Sequence, residues 1–263
     1  MLQSATANPA IFADPEIALV GVSKAYGRGS ATVRAIEEVD LTVAHNEFVS
    51  VLGPSGCGKS TLVLMMAGLL SPTNGTITLR GRRVEGPLRS NGIVFQNAVL
   101  LPWRTVLDNV LLPIDLMGED VADYRDRALA LLEIAGIADF ADRLPRELSG
   151  GMRQRAGICR ALIRDPDLLL MDEPFSALDA MTRDEMNLEL MRIWERDKKT
   201  VVFITHSISE AIFLSDRVVV MSRRPARIVQ DIVISLPRPR AVEVQESIEF
   251  NALRGHIRSL IQH

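Results

Sequence analysis

The chain has 263 residues, 47% of them hydrophobic and 24% charged. That is enough apolar material for one large α/β domain or two small ones, and too much for a disordered chain. A formal net charge of −3 disfavours the basic surface by which nucleic-acid binders release counterions, and two cysteines, Cys57 and Cys159, are too few for a disulfide framework.

Residues 1–15 lack a basic segment followed by an apolar core, so they read as a loose tail and not as a secretory signal. Ile17 to Val22 alternates and predicts an edge strand, with Ser23-Lys24-Ala25-Tyr26-Gly27 as its turn. Phe48 to Leu52 is a short β-rich run ending in glycine, and Ser60 to Leu70 has helical character. The charge-free stretch from Ser60 to Leu79 has the length of a membrane span, but Ser71-Pro72-Thr73-Asn74-Gly75 breaks it. The chain is therefore not expected to cross a membrane.

Between that strand and helix lies Gly53-Pro54-Ser55-Gly56-Cys57-Gly58-Lys59-Ser60-Thr61, which fits G-x-x-x-x-G-K-[ST]. Glycines let the backbone curl so that successive N–H groups face phosphate oxygens, and the following helix adds its positive N-terminal end. Lys59 is expected near the β and γ phosphates, and Ser60 offers a hydroxyl to Mg²⁺. The motif and its setting predict binding of a nucleoside triphosphate.

From Asn97 to Gly151 the period changes. Tyr124, Ala128, Leu131, Leu132 and Ala135 recur at helical spacing, with Gly136 where a helix ends. This predicts an inserted helical subdomain over about residues 97–155. At its end Leu148-Ser149-Gly150-Gly151-Met152-Arg153-Gln154-Arg155 places a second glycine turn before a helix, and so a second anion site. Each nucleotide offers one γ-phosphate, already surrounded by the Lys59 loop, so the second turn is expected to serve another copy in a head-to-tail homodimer. Gly157 and Cys159 within the following helix are expected to loosen it slightly, since glycine costs about 1 kcal/mol relative to alanine there.

Leu168-Leu169-Leu170-Met171-Asp172-Glu173 is an apolar strand ending in two acids, at the strand end where open α/β sheets place ligands. Asp172 is expected to hold Mg²⁺, and Glu173 to orient and deprotonate the water that attacks the γ-phosphate. Ser176-Ala177-Leu178-Asp179 then enters a helix, with Asp179 a candidate N-cap. Met186, Leu190, Ile193 and Trp194 mark that helix's core face. Thr200 to Ile204 and Val218 to Met221 complete, with Leu168 to Met171, a set of buried parallel strands. His206 follows the second of these three apolar runs and is read as a γ-phosphate contact. Residues 241–263 are expected to form one or two surface helices.

In this order the motifs resemble the nucleotide-binding subunits of ABC transporters, from Ile17 to Arg240. The resemblance implies an α/β fold over residues 16–240: a P-loop NTPase core of ABC type with a parallel or mixed sheet, N-terminal antiparallel strands and the helical insertion. It implies that Tyr26 stacks on adenine and that Gln96 links Mg²⁺ and the attacking water to the membrane subunit. It also implies that Ser149, Gly150 and Gly151 close on the partner's ATP and that Asp179 lies in the nucleotide site.

The run Leu100-Leu101-Pro102-Trp103-Arg104-Thr105-Val106-Leu107-Asp108-Asn109-Val110 and the closing Leu236-Pro237-Arg238-Pro239-Arg240 are similar to the nitrate, sulfonate and taurine importers. By that similarity the Trp103 region docks on a separate permease, a solute-binding protein acts indirectly, and the chain sits at the cytoplasmic face of the inner membrane. The cargo would be an organic sulfonate, taurine or a nitrate-like anion. Two other classes compete: a soluble ABC ATPase, for example of cluster assembly, which the Pro102-Trp103 segment opposes, and a nucleotide-binding regulator without hydrolysis. Lys59, Asp172, Glu173 and His206 together oppose the latter.

Overall fold

Residues 15–27, 32–176 and 178–262 are described by the computed structural model, and they divide into two units, residues 1–89 with 198–263 and residues 90–197. All of the tail expected over 1–15 except Pro15, and Ala177 of the Ser176–Asp179 run, lie outside the described residues.

The first unit begins with β1 (Ile17–Tyr26) and β2 (Val33–Val43), then β3 (Phe48–Leu52), α1 (Lys59–Met66), β4 (Asn74–Leu79) and the two-residue β5 (Arg82–Arg83). The N-terminal strands form an antiparallel sheet in the order β2-β1-β4-β5. This corrects the placing of β1 at an edge: β2 pairs with it from Ile17 to Tyr26 and β4 covers its other side. The expected turn at Ser23 to Tyr26 is strand as well, because Lys24, Ala25 and Tyr26 find partners in Ile36, Arg34 and Val33. β2, VRAIEEVDLTV, carries three acids and an arginine in eleven residues, and its apolar alternation is visible only once Ile36, Val39, Leu41 and Val43 are seen to be buried.

The second unit contains β6 (Asn91–Val94), α2 (Val106–Met117), α3 (Val121–Ile134), α4 (Gly150–Leu162), β7 (Leu168–Asp172) and α5 (Ala180–Asp197). β6 and β7 are parallel, with Val94 opposite Met171. Thr105 caps α2 by accepting from Asp108 N–H at 3.1 Å, and Asp120 caps α3 through Ala122 N–H at 2.9 Å. Gly136, at φ 65°, turns the chain out of α3. Met186, Leu190 and Trp194 of α5 are buried, as their spacing predicts. Gly157 of α4 packs beside Ala98, whose Cβ would lie in ordinary contact, 3.4 Å, with a Cβ at the glycine. Cys159 is fully buried and donates to Leu131 O at 3.4 Å, and burial pushes its thiol up to about 12.

The chain then returns to the first unit with β8 (Thr200–Thr205), α6 (Ile208–Leu214), β9 (Arg217–Met221), β10 (Ile228–Val233) and α7 (Ile248–Gln262). β3 runs parallel to both β8 and β9, and β10 closes on β9 antiparallel. Every residue of β3 and β8 is buried, which is why both read as unbroken apolar runs and not as alternating ones. Phe48 and Phe203 meet across this pair with ring centroids 5.9 Å apart. The C-terminal segment folds as a short 3₁₀ turn at Val242–Glu246 and α7, whose Phe250 and Ile257 are completely buried. No helix among the described residues is long and apolar enough to cross a membrane.

Candidate functional site

In the first unit the site grows from the register of three parallel strands. Leu52 of β3 lies opposite Thr205 of β8 and Val220 of β9, so Gly53, His206 and Met221 leave neighbouring strands at one end. This is the carboxyl end of the strands, where an open α/β sheet binds ligands. The backbone from Gly53 to Gly58 turns there into α1. A Cβ on Gly53 would lie 3.1 Å from both Cys57 Sγ and Met221 O. Gly58 sits at φ 127°, a conformation that side chains rarely allow, and a Cβ would stand 3.2 Å from Ala35 O.

The entry of α1 suits an anion. Its N-cap, Gly58, supplies no side-chain hydrogen bond and the first turn carries no acid, so the first N–H groups of the helix face the loop with nothing negative on the helix to answer them. Lys59, buried, donates its ammonium to Gly53 O at 2.9 Å and Pro54 O at 3.1 Å, holding the loop curled around the place where a phosphate would sit. Ser60 is exposed on the first turn, and Thr61 Oγ1 lies 3.3 Å from Tyr26 Oη. Tyr26 itself is 43% exposed, with Lys24 Nζ 5.4 Å from its ring centroid. An exposed ring beside the phosphate loop can receive a flat base. His206 is exposed directly after β8, and Ser207 N–H donates to Thr205 Oγ1 at 2.9 Å, fixing the turn that carries it.

In the second unit β6 and β7 also end together, so Gln96, exposed, and the pair Asp172 and Glu173 leave parallel strands at the same end. Glu173 is held at φ 45°, a left-handed conformation costing a non-glycine residue about 1–2 kcal/mol. Strain of this kind at an acid on a strand end accords with a functional constraint. Carboxylate and hydroxyl oxygens are hard donors of the kind Mg²⁺ accepts, and Mg²⁺ is commonly bound by one or two protein oxygens together with substrate phosphates.

Ser149 caps α4, accepting from Met152 N–H at 3.2 Å, and that helix too has no acid in its first turn. Gly151 faces Thr182, whose Cγ2 would lie 3.1 Å from a Cβ on the glycine. Thr182 in turn bonds Asp179 twice, N–H to Oδ1 at 3.0 Å and Oγ1 to Oδ2 at 2.8 Å. The second glycine turn and the Asp179 loop are thus joined through Thr182, a residue that sequence reasoning did not single out. The backbone N–H of Thr182, then its hydroxyl, hold the Asp179 carboxyl below its ordinary range.

The segment after Gln96 is presented by three buried or half-buried side chains. Asn109, fully buried, accepts from Leu101 N–H at 2.7 Å and donates to the carbonyls of Leu101, Arg104 and Thr105 at 2.8–3.1 Å. From α4, Gln154 reaches Phe95 O at 3.3 Å and Arg160 reaches Val99 O at 2.7 Å. Pro102 and Trp103 stand out of this frame, Trp103 at 73% exposure and Val99 at 67%. The only advance signal of Asn109 was a polar residue among apolar ones.

Known proteins resemble this chain over most of its length. A family model described as ABC transporter matches residues 36–176. An uncharacterized ABC transporter ATP-binding protein of Methanocaldococcus jannaschii is 45% identical over 92% of this chain and 89% of the relative. The taurine import ATP-binding protein TauB of Rhizobium johnstonii is 47% identical over 90% and 91% of the two chains. An aliphatic sulfonates import ATP-binding protein SsuB of Bacillus cereus is 43% identical over 86% and 88%. Among solved structures, the cassette MJ0796 in a dimeric post-hydrolysis state with ADP and Pi has a TM-score of 0.75 and 32% identity, covering 84% of this chain and all of that one.

Proposed function

Because this chain belongs to the ABC transporter family of ATP-binding subunits, and is an ATPase of that type, we propose that it is the motor of an importer for taurine or another organic sulfonate. It would work as a head-to-tail pair of copies on a separate permease, peripheral to the cytoplasmic face of the membrane. The observation that carries the ATPase reading is the Gly53–Thr61 loop: a lysine folded onto its own loop carbonyls beneath a helix end that has no anion of its own.

In this reading Gly53 to Thr61 hold the phosphates, with Lys59 neutralising the β and γ positions and Tyr26 receiving the adenine. Ser60, Asp172 and Gln96 would hold Mg²⁺, which would supply charge neutralisation on the phosphate oxygens. Glu173 orients the attacking water and takes its proton, and His206 contacts the γ-phosphate. Ser149, Gly150 and Gly151, with Asp179 behind them, answer the nucleotide of the second copy. Phosphoryl transfer asks for positioning and charge stabilisation above all, and every one of these groups supplies one or the other.

The import reading is supported by the names of the relatives at 43–47% identity and by the exposed, braced Trp103 loop. It is tested in vesicles containing the chain, its permease and the solute-binding protein. Taurine or an aliphatic sulfonate is expected to raise ATP turnover, and Trp103→Ala to lose that stimulation, since an anchoring tryptophan commonly contributes 2 kcal/mol or more, about thirtyfold in affinity. Stimulation by nitrate and not by sulfonates would reject the cargo. Equal stimulation of the Trp103→Ala protein would reject the docking surface.

A further inference from the structure

The end of β9 and the loop joining it to β10 each meet the phosphate loop once, through residues outside the nine-residue motif. Met221 O, at the end of β9, lies 3.1 Å from where a Cβ on Gly53 would stand, and in the loop the guanidinium of Arg224 donates from Nη2 to Gly56 O at 2.8 Å. Gly56 is the exposed tip of the loop. It lies at φ 72°, with nothing within 4 Å of the position a Cβ would occupy, so side-chain packing does not fix it. We propose that Arg224 is a positioning residue for the ATP reaction, setting the phosphate loop through the Gly56 carbonyl.

The physical reason lies in the peptide plane. Gly56 C=O and Cys57 N–H belong to one rigid unit and point in opposite directions. With the carbonyl held by Arg224, the Cys57 N–H on the other side of the plane donates to Pro54 O at 3.3 Å, so the two bonds together fix the plane and with it the turn of the loop. In a loop that binds phosphate with backbone N–H groups, a plane held in advance need not be ordered when the ligand arrives. Arg224 is itself steadied by its own turn: Ser222 Oγ donates to Arg223 O at 2.9 Å and Pro225 O at 3.3 Å, and accepts from Arg227 N–H at 3.0 Å. Lys59 therefore fixes the start of the loop from within, at Gly53 and Pro54, and Arg224 fixes its tip from outside.

This inference rests on the reading of Gly53 to Thr61 as the ATP site, and the test separates the two. ATP with Mg²⁺ is titrated into the full-length protein and into Arg224→Ala, Arg224→Lys and Lys59→Ala. Arg224→Ala is expected to weaken binding about threefold to tenfold, the range of the net contribution of one ordinary, exposed hydrogen bond. Arg224→Lys should recover most of the loss because its ammonium reaches the same carbonyl, and the loss should persist at 1 M salt, where the screening length is about 3 Å. Undiminished affinity in Arg224→Ala, or a loss that vanishes at high salt and so reflects distant charge alone, would overturn the proposal. If Lys59→Ala binds ATP as the parent does, the loop is not the nucleotide site and both readings fall together.

Discussion

Asp179 shows how one residue of the site couples to pH. Thr182 donates to both of its carboxylate oxygens, which favours the charged form and depresses its pKa. A group whose folded pKa is depressed contributes stability above its unfolded value and loses that contribution as pH falls through the folded one. Asp179→Asn keeps an acceptor for the helix cap and abolishes the titration. The gap in thermal midpoint between parent and variant is therefore expected to narrow as pH drops below the ordinary carboxylate range, measured by unfolding at a series of pH values. A gap that widens in acid would contradict the assignment. At this scale the positions were legible wherever they lay in a continuous motif: Gly53 to Thr61 lie between β3 and α1, Asp172 and Glu173 at the end of β7, and Ser149 at the N-cap of α4, where spacing placed them. The contacts of Arg224 with Gly56 and of Thr182 with Gly151 were not legible, because only folding brings those residues near, Arg224 across 168 positions.

At the scale of elements, α6 is the helix that follows His206, and its far end is held by a buried arginine. Arg240 donates to Ile212 O, Phe213 O and Ser215 O at 2.8–2.9 Å and to Leu236 O at 3.1 Å, satisfying carbonyls that the end of a helix leaves open. Arg238 adds a 2.9 Å pair with Asp216 and a bond to Leu214 O. The Leu236-Pro237-Arg238-Pro239-Arg240 run, which the sequence offers only as a family resemblance, thus has a structural task. Arg240→Ala is expected to cost about 2–4 kcal/mol in urea unfolding, because several buried carbonyls lose their donor at once. A loss below about 0.5 kcal/mol would show that water replaces the guanidinium. The strands buried on both faces, β3, β7, β8 and β9, were legible as apolar runs. β2, with its charges, and the four-residue β6 were not, and the interior place of β1 depends on partners that its own alternation does not name.

For the whole molecule, the family and the ATPase activity rest on several motifs in a fixed order, which is why they could be read before the fold was known. The pairing of two copies has a narrower base: a second glycine turn at the start of α4, capped by Ser149, free of acid in its first turn and braced by Thr182. The relatives' structures include dimeric cassettes, one with ADP and Pi. The proposed permease contact rests on a loop whose apolar tip was visible in the sequence and whose bracing by Asn109, Gln154 and Arg160 was not.

The central claim, that Glu173 drives hydrolysis in a nucleotide-bridged pair, is tested most directly with Glu173→Gln. The variant should bind ATP as the parent does and lose at least about a hundredfold in turnover, the usual contribution of a general base. It should also migrate as a dimer when ATP is present and as a monomer when it is withdrawn. Hydrolysis at the parental rate would contradict the account.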